Sequence, residues 1–214
     1  MIRNNLSILM SERGVKNSTL SFKTGISKNT ISSTAQNDGK MIQLETINKI
    51  CQVLDVTPDM FFSYLPYDLK FSTILSNVKV NGYKNDKNRV DKIIVSDLDL
   101  DLFVQVLEKN SVTNTFDFEC SQETEWDLCD PYDIRKLHIK SNLDTEFAKF
   151  WEAIPTPFQT DLKKEINAVL IADLKKTLIT RVTEICKYCA LDSDDPESLF
   201  EFFSLELQSS LFNF

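Results

Sequence analysis

The stretch that decides the fold of the N-terminal part is residues 20–32, which read LSFKTGISKNTIS. The glycine at position 25 can end a short helix that starts near residue 17, because glycine tolerates the left-handed backbone that closes a helix. Ser27 is a favourable N-cap for a second helix that begins at Lys28 and ends near residue 36. Two short helices joined by a glycine-containing turn predict a helix-turn-helix.

The segments on both sides of this stretch continue the helical pattern. Gly14 is expected to end a first helix, and Gly39 follows the second helix of the motif. Thr57 and Pro58 are expected to start a final helix, since proline is tolerated at the first helical position. The first helix has Leu6, Leu9, Met10 and Arg13 at helical spacing. The apolar face of the fourth helix contains Leu44, Ile47, Ile50, Cys51 and Leu54. The fifth helix contains Met60, Phe61 and Phe62. Residues 1–66 are therefore predicted to form an all-α domain of about five helices.

This part of the chain resembles the lambda-repressor-like helix-turn-helix family, also called the Xre/Cro type. The resemblance runs over residues 2–65, about 30% of the chain, and is densest at residues 20–32 and at residues 44–58, which read LETINKICQVLDVTP. Ser21, Ala35 and Asp55 stand where family members usually carry alanine, glutamate and glycine. None of the three adds apolar bulk or a proline, so we expect the fold to be kept, with altered polar contacts near Ala35.

The resemblance also implies which residues contact DNA. In this family the start of the third helix enters the major groove and the start of the second helix is anchored to phosphate. Asparagine can bond adenine through two atoms and lysine can reach the acceptors of guanine. The implied residues are Lys28, Asn29, Ser32 and Ser33 in the groove, with Ser27 and Thr30 beside them, Asn17 at a phosphate, and Lys16, Lys23 and Lys40 as electrostatic helpers. The alternative is that these are exposed residues of a helical interaction domain.

The charge of the chain is unevenly distributed. Its formal net charge of −8 would on average repel nucleic acid. Residues 1–65, however, contain seven Lys and Arg against five Asp and Glu, whereas the remainder contains 17 against 27. We therefore expect the first part to be able to approach a polyanion and the second part not to.

Residues 67–214 are predicted to form an α+β domain of antiparallel strands followed by long amphipathic helices. Apolar residues at the even positions of 98–106 alternate with Asp97, Asp99 and Asp101, which is the period of a half-buried strand. Shorter alternations at residues 116–120 and 136–140 predict two more strands, while residues 71–80 suit either a strand or a helix. Turn-forming residues at 85–88 and 109–111 favour an antiparallel meander.

The spacing of apolar residues becomes helical from residue 144 onward. A first stripe ends at Pro155 and Pro157, a second run covers about 30 residues, and a last helix opens at Asp194 or Asp195 before Pro196. The three stripes contain Phe147, Phe150, Trp151 and Ile154; Leu162, Ile166, Val169, Leu170, Leu174, Leu178, Val182, Ile185, Cys186 and Cys189; and Leu199, Phe202, Phe203, Leu207 and Leu211. They exceed what one small sheet needs, so we expect part of them to pair with a second copy. The alternative is that they fold back over the sheet.

Little in the sequence indicates catalysis or a cofactor. Four glycines are too few for a Gly-rich nucleotide-binding scaffold. The lone His138 is expected at the surface or edge of a strand, and Asp97, Asp99 and Asp101 are expected to form a solvated face rather than a metal site. Cys186 and Cys189 have the spacing of half a zinc site, but this spacing also matches the apolar stripe of the long helix. The separation of Cys120 and Cys129 fits no zinc pattern. We expect no metal, no cofactor and no enzymatic activity.

The remaining features concern location and overall function. Five cysteines fit a reducing compartment, the first ten residues do not resemble a secretory signal, and no apolar run reaches the ~20 residues of a membrane span. We therefore expect a cytoplasmic, homodimeric, sequence-specific transcription regulator of bacterial or phage type, such as a repressor. Residues 1–66 would bind double-stranded DNA and residues 67–214 would dimerise or sense a protein or small-molecule effector. The alternative is an antitoxin or phage-defence protein whose C-terminal domain binds a protein partner.

Overall fold

The structure is a computed structural model that describes residues 1–38, 41–140, 145–186, 196–201, 203–209 and 212. The chain divides into two compact units, Met1–Asp68 and Leu69–Phe214.

The first unit is a small bundle of helices closed by a two-stranded sheet. Its helices are α1 (Leu6–Glu12), α2 (Asn17–Thr24), α3 (Lys28–Ala35), α4 (Leu44–Leu54) and α5 (Pro58–Phe61). Strand β1 (Ile2–Asn4) precedes them and pairs antiparallel with β2 (Phe62–Tyr64), which follows them. The core consists of Leu6, Leu9, Met10, Leu20, Ile31, Ile47, Ile50, Cys51, Leu54 and Phe61.

The helix ends in this unit follow the local signals of the sequence. Gly14 and Gly25 have φ angles of 61° and 72°, in the left-handed region where glycine is favoured. Asp55, which replaces the usual glycine after α4, adopts the same region with φ 52°. Aspartate is one of the few other residues that tolerate this conformation, so the departure from the family pattern leaves the turn intact.

Two expectations for this unit are wrong in detail. Leu44 was expected on the buried face of α4 but is 82% exposed, because it is the first residue of the helix and precedes the first buried position, Ile47. Phe62 was expected inside the fifth helix, but α5 is one turn long and Phe62 starts β2. The strands β1 and β2 were not predicted, since three residues are too few to show an alternating pattern.

The second unit contains a six-stranded sheet. Its strands are β3 (Asp68–Lys84), β4 (Val90–Glu108), β5 (Ser111–Gln122), β6 (Trp126–Asp127), β7 (Lys136–Ile139) and β8 (Glu206–Gln208). The order across the sheet is β3-β4-β5-β7-β8, and β6 pairs with β4 outside this path. The pairs β4–β5, β4–β6 and β5–β7 are antiparallel, whereas β7 and β8 are parallel.

The strands predicted from alternation are present as β4, β5 and β7; β4 and β5 are longer than expected, and β7 is one residue shorter. The even positions from Leu98 to Val106 are buried in β4, opposite Phe116, Phe118 and Cys120 of β5. The ambiguous stretch at residues 71–80 is part of strand β3. The turn after β4 carries positive φ angles at Lys109 and Asn110. The parallel strand β8 departs from the expected meander.

Two helices of this unit follow the strands. They are α6 (Thr145–Ala153) and α7 (Thr156–Cys186), a helix of 31 residues and about 45 Å. Pro155 separates them, but Pro157 does not break the chain as expected, because it lies in the first turn of α7 where its missing N–H costs nothing. The buried residues of α7 recur at every fourth position: Phe158, Leu162, Ile166, Leu170, Leu174, Leu178 and Val182.

The row of buried residues in α7 was expected to be available, in part, for pairing with a second copy of the chain. All seven side chains are at most 2% exposed in a single chain. The row is therefore used inside the chain and is not available to a second copy. Val169, Ile185 and Cys186, which were placed on the same stripe, are half-buried, and Cys189 lies outside the described residues.

The prediction of a last helix is wrong. Residues Pro196–Phe200 form a 3-10 helix, and the chain then enters strand β8. Leu205 and Leu207 are both buried, and this spacing of two residues is typical of a strand. The backbone N–H and C=O groups of β8 are satisfied by pairing with β7. Asp194, Asp195, Phe202 and Leu211 lie outside the described residues.

None of the described helices combines the length and the apolar character needed to cross a bilayer.

Candidate nucleic-acid interface

The turn between α2 and α3 is held by side-chain hydrogen bonds. The Thr24 hydroxyl donates to the carbonyl oxygen of Leu20 at 2.6 Å and accepts from the backbone N–H of Ile26 at 3.2 Å. The Ser21 hydroxyl donates to the carbonyl oxygen of Ile26 at 2.6 Å. Ser21, which replaces the usual alanine of the family, thus adds a contact across the turn and helps to fix the angle between the two helices.

The start of α3 is fixed by Ser27. Its hydroxyl oxygen accepts from the backbone N–H of Thr30 at 3.1 Å and lies 2.8 Å from the Thr30 hydroxyl, so the predicted N-cap is confirmed. Ile31 is fully buried on the inner face of the helix, whereas Lys28 and Asn29 are exposed. The N-terminus of a helix carries partial positive charge, so this end of α3 suits a phosphate or a base acceptor.

The other end of α3 is held by two asparagines. Asn4, only 4% exposed, donates from Nδ2 to the carbonyl oxygen of Thr34 at 2.8 Å and to Oδ1 of Asn37 at 2.7 Å. Asn37 returns a hydrogen bond from its Nδ2 to the carbonyl oxygen of Asn4 at 3.2 Å. This pair, the Asn4–Asn37 clasp, fastens α3 to β1. Asparagine tolerates the positive φ of 57° that Asn37 adopts in this clasp.

A cavity of about 410 Å³ lies beside α3. Thr30 and Ser33 line it from α3, and Met41 and Gln43 line it from the segment before α4. Met41 is 92% exposed, and sequence analysis gave this residue no role. An exposed apolar side chain of this kind could contact a thymine methyl group.

The structure places most of the implied DNA-binding residues at the surface. Lys16 is the N-cap of α2, Asn17 is its first residue and Lys23 lies in its last turn. Ser32 and Ser33 are half-buried, and the Ser33 hydroxyl donates to the carbonyl oxygen of Thr30 at 3.1 Å. The exposed members of the set are Lys16, Asn17, Lys23, Ser27, Lys28, Asn29 and Thr30, while Lys40 lies outside the described residues.

Other charged groups of the first unit are engaged in structural contacts. Arg13 donates from Nε to the carbonyl oxygen of Leu54 at 2.7 Å and so joins α1 to the end of α4. Lys49 forms a 2.7 Å ion pair with Glu45 one turn away, which lowers the pKa of the Glu45 carboxyl. Arg13 and Lys49 therefore have structural partners within the first unit, whereas Lys16, Lys23 and Lys28 are exposed.

Comparison with known protein families identifies this unit. Residues 5–66 match the family model of the Cro/C1-type HTH DNA-binding domain. The resemblance of the N-terminal part to the Xre/Cro type is thereby confirmed. No curated protein and no solved structure matched the chain. The Cro/C1-type domain thus accounts for the first unit alone.

The second unit contains most of the side chains that were considered as metal ligands or as catalytic groups. Within the described ranges no three His, Cys, Asp or Glu side chains are grouped so that they could hold a metal ion. His138 does not lie at an edge as expected, because β7 pairs with β5 on one side and with β8 on the other. Asp97 is half-buried and accepts hydrogen bonds from Lys79 at 2.7 Å and Asn77 at 2.8 Å, which lower the pKa of its carboxyl.

The described cysteines are free thiols. Burial raises the pKa of Cys120 to about 12 and also raises the pKa of Cys51 and of Cys129. A thiol with a raised pKa is a poor nucleophile at neutral pH. Cys51 and Cys120, which are buried, pack as small apolar residues.

Proposed function

We propose that the protein is a sequence-specific DNA-binding regulator of transcription, of bacterial or phage type, which acts without catalysis. The observation that carries this proposal is the capped start of α3 inside the matched Cro/C1-type domain. There Ser27 holds the helix end while Lys28 and Asn29 are exposed to solvent. We place the protein in the cytoplasm, where it would occupy an operator and exclude or recruit polymerase.

The proposed contacts follow from the chemistry of each side chain. Lys28 and Asn29 would reach base edges in the major groove, with Ser32 and Ser33 deeper along α3 and Ser27 and Thr30 at its start. Asn17 would bond a phosphate at the start of α2. Lys16, Lys23 and Lys40 would attract the backbone irrespective of sequence.

We further propose that two copies act together on one operator. A single small reader contacts few base edges, so affinity for an operator requires two readers on half-sites about 34 Å apart, or a multiple of this distance. The buried row of α7 is used inside the chain, so the contact between copies would involve other residues of the second unit. The net charge of −10 in residues 66–214, a range that includes the whole second unit, disfavours a direct contact of that unit with DNA.

The proposal is tested by selecting bound fragments from random duplex DNA and then measuring variants on the selected site at one salt concentration. Lys28→Ala and Asn29→Ala should each weaken binding by about 1–3 kcal/mol, or ~5- to 150-fold, if each reads a base. Lys49→Ala is the matched control for Lys28→Ala, because it removes one charge from the same unit at the ion pair on α4.

Lys23→Ala provides a second comparison, since a phosphate contact should weaken binding to all sequences and flatten its salt dependence. Unchanged operator affinity in the Lys28→Ala, Asn29→Ala double variant would refute the assignment of α3 as the reading helix.

A second candidate function is supported by a different observation. Strand β3 forms one edge of the sheet and borders a cavity next to α7, which is a surface suited to a protein partner. In an antitoxin or phage-defence protein this partner would be the main ligand and DNA binding would be secondary.

A further inference from the structure

Helix α3 is short, and its direction within the first unit depends on how its two ends are held. It has eight residues, about 12 Å along its axis. Ser27 caps its start, and Ile31 and Thr34 are its buried residues. Along one flank, Thr30, Ser33 and Thr34 border the cavity of about 410 Å³. Because an open cavity supports the helix less than packed side chains do, the contacts at its far end become important.

The far end of α3 is held by the Asn4–Asn37 clasp. Oδ1 of Asn37 accepts from the backbone N–H of Asn4 at 2.9 Å and from its Nδ2 at 2.7 Å. Nδ2 of Asn4 also donates to the carbonyl oxygen of Thr34 at 2.8 Å, in the last turn of the helix. Nδ2 of Asn37 donates to the carbonyl oxygen of Asn4 at 3.2 Å. All of these hydrogen bonds connect the end of α3 to a single residue of β1.

Strand β1 gives this end of the helix a fixed support. Asn4 is paired with Phe62 of β2, and the N–H of the next residue, Asn5, donates to the carbonyl oxygen of Phe61 at 2.8 Å. Phe61 is fully buried in the core. Oδ1 of Asn4 accepts from the N–H of Leu6 at 3.0 Å, at the start of α1. Asn4 therefore connects α3 both to the two-stranded sheet and to the first helix.

A small tilt of α3 is large on the scale of base recognition. Lys28 and Thr34 are six residues apart, which is about 9 Å along the helix axis. A tilt of about 6° displaces these two positions relative to each other by about 1 Å. Side chains that recognise a ligand by geometry need to be placed within about 0.5 Å, whereas attraction to phosphates depends mainly on charge. Loss of the clasp should therefore reduce sequence preference more than general affinity for DNA.

We propose that Asn4 and Asn37 are positioning residues for sequence recognition. Their clasp sets the direction of α3 and thereby the place of Lys28 and Asn29 on the base edges, while neither member of the clasp contacts a base. This role rests on the proposed function of α3 as the reading helix. It adds a determinant of specificity on the side of the helix that faces β1.

The main test is made at position 37. Asn37→Gly removes the three hydrogen bonds of that side chain and keeps the turn, since glycine favours the φ of 57°. Asn37→Asp keeps an acceptor for both N–H donors of Asn4 and tolerates the same φ. The matched control is Asp55→Gly, which makes the same kind of change at the positive φ of 52° after α4.

A second variant breaks the clasp from its other side. In Asn4→Ser the hydroxyl can still accept from the N–H of Leu6, two residues on, but is too short to reach Asn37. This variant keeps the proposal testable if Asn37→Gly does not fold.

The first measurement compares two duplexes with the full chain at one salt concentration. One is the operator selected from random DNA, and the other has the same bases in scrambled order. The ratio of the two affinities is insensitive to net charge and to the folded fraction, which act on both duplexes alike. Asn37→Gly and Asn4→Ser should lower this ratio at least about fivefold, the effect of displacing one good base contact. Asn37→Asp and Asp55→Gly should keep the ratio of the parent.

The second measurement needs no DNA. Residual dipolar couplings of backbone N–H groups in the full chain give the direction of α3 relative to α4. Asn37→Gly should turn α3 by about 6° or more, the tilt that displaces its start by about 1 Å relative to its end. Asn37→Asp should leave the direction unchanged.

Three results would overturn the proposal. They are an unchanged affinity ratio in the folded clasp variants, an unchanged direction of α3 in Asn37→Gly, and an equal fall of the ratio in Asp55→Gly. A clasp that only stabilises the fold would give the first of these. Failure of the proposed function is recognised separately, because the Lys28→Ala, Asn29→Ala double variant would then bind like the parent.

Discussion

Replacing Ser27 by alanine separates the structural role of this residue from its contact with DNA. The Ser27 hydroxyl oxygen accepts the hydrogen bond from the backbone N–H of Thr30, and alanine leaves that donor without a protein partner. Loss of such a cap costs about 1 kcal/mol. The first unit has 68 residues, and at ~2.1 cal/mol/K per residue its entropy of unfolding is about 0.14 kcal/mol/K, so its Tm should fall by about 7 °C.

The assay is calorimetry of the full chain combined with fluorescence. Both tryptophans, Trp126 and Trp151, lie in the second unit, so the fluorescence transition identifies the unfolding of that unit. The calorimetric transition that lacks a fluorescence counterpart belongs to the first unit. Only this transition should shift in Ser27→Ala.

Two further substitutions at the same position complete the test. Ser27→Asn and Ser27→Asp both keep an acceptor for the N–H of Thr30, so both should retain the Tm of the parent. Ser27→Asp should nevertheless weaken DNA binding, because it adds a negative charge at the proposed interface. An unchanged Tm in Ser27→Ala, or a loss in Ser27→Asn equal to that in Ser27→Ala, would show that the cap does not stabilise α3.

Three other predictions concern the second unit. Gly82→Ala should destabilise this unit by about 1–3 kcal/mol in urea unfolding followed by tryptophan fluorescence, because the added Cβ atom would lie 2.6 Å from Cγ2 of Ile185. Adding Ile185→Ala should restore part of the loss if this clash is the cause. Leu170→Ala should cost about 2–5 kcal/mol in the same assay, because the side chain is fully buried; a cost below 1 kcal/mol would contradict the packing of α7. Cys120, with its pKa near 12, should resist iodoacetamide at pH 8 until the chain unfolds. The free energy of unfolding should fall as pH rises above about 8.5, because the Cys120 thiol ionises in the unfolded chain but stays protonated in the folded chain. Rapid alkylation of Cys120 in the folded protein would contradict both the resistance to iodoacetamide and this pH dependence.

The parts of the fold that sequence analysis predicted correctly depend on local signals. Gly25 and Ser27 mark the two sides of one turn, and the alternation at residues 98–106 is long enough to define a strand on its own. Strand β8 was mistaken for a helix because its hydrogen-bonding partner, β7, lies about 70 residues earlier in the chain. The ambiguity of residues 71–80 has the same cause, since the neighbouring strand β4 decides it.

In the candidate interface, too, features set by neighbouring residues could be predicted, whereas features that join distant residues could not. The exposure of Lys28 and Asn29 follows from their place at the start of a helix whose inner face carries Ile31. The Asn4–Asn37 clasp joins residues that are 33 positions apart, so no local pattern could reveal it. Met41 belongs to a segment without periodicity, and only its exposure beside the cavity at α3 draws attention to it.

The spacing of the buried residues in α7 has a consequence for changes in chain length. A step of four residues turns the row by about 40°, so over six steps it travels about 240° around the helix. Deleting one residue in the middle would rotate every later member of the row by about 100° and expose it to water. Deleting four would move each later side chain onto the place of its predecessor and keep the pattern. Insertions and deletions in α7 should therefore be tolerated in units of four residues.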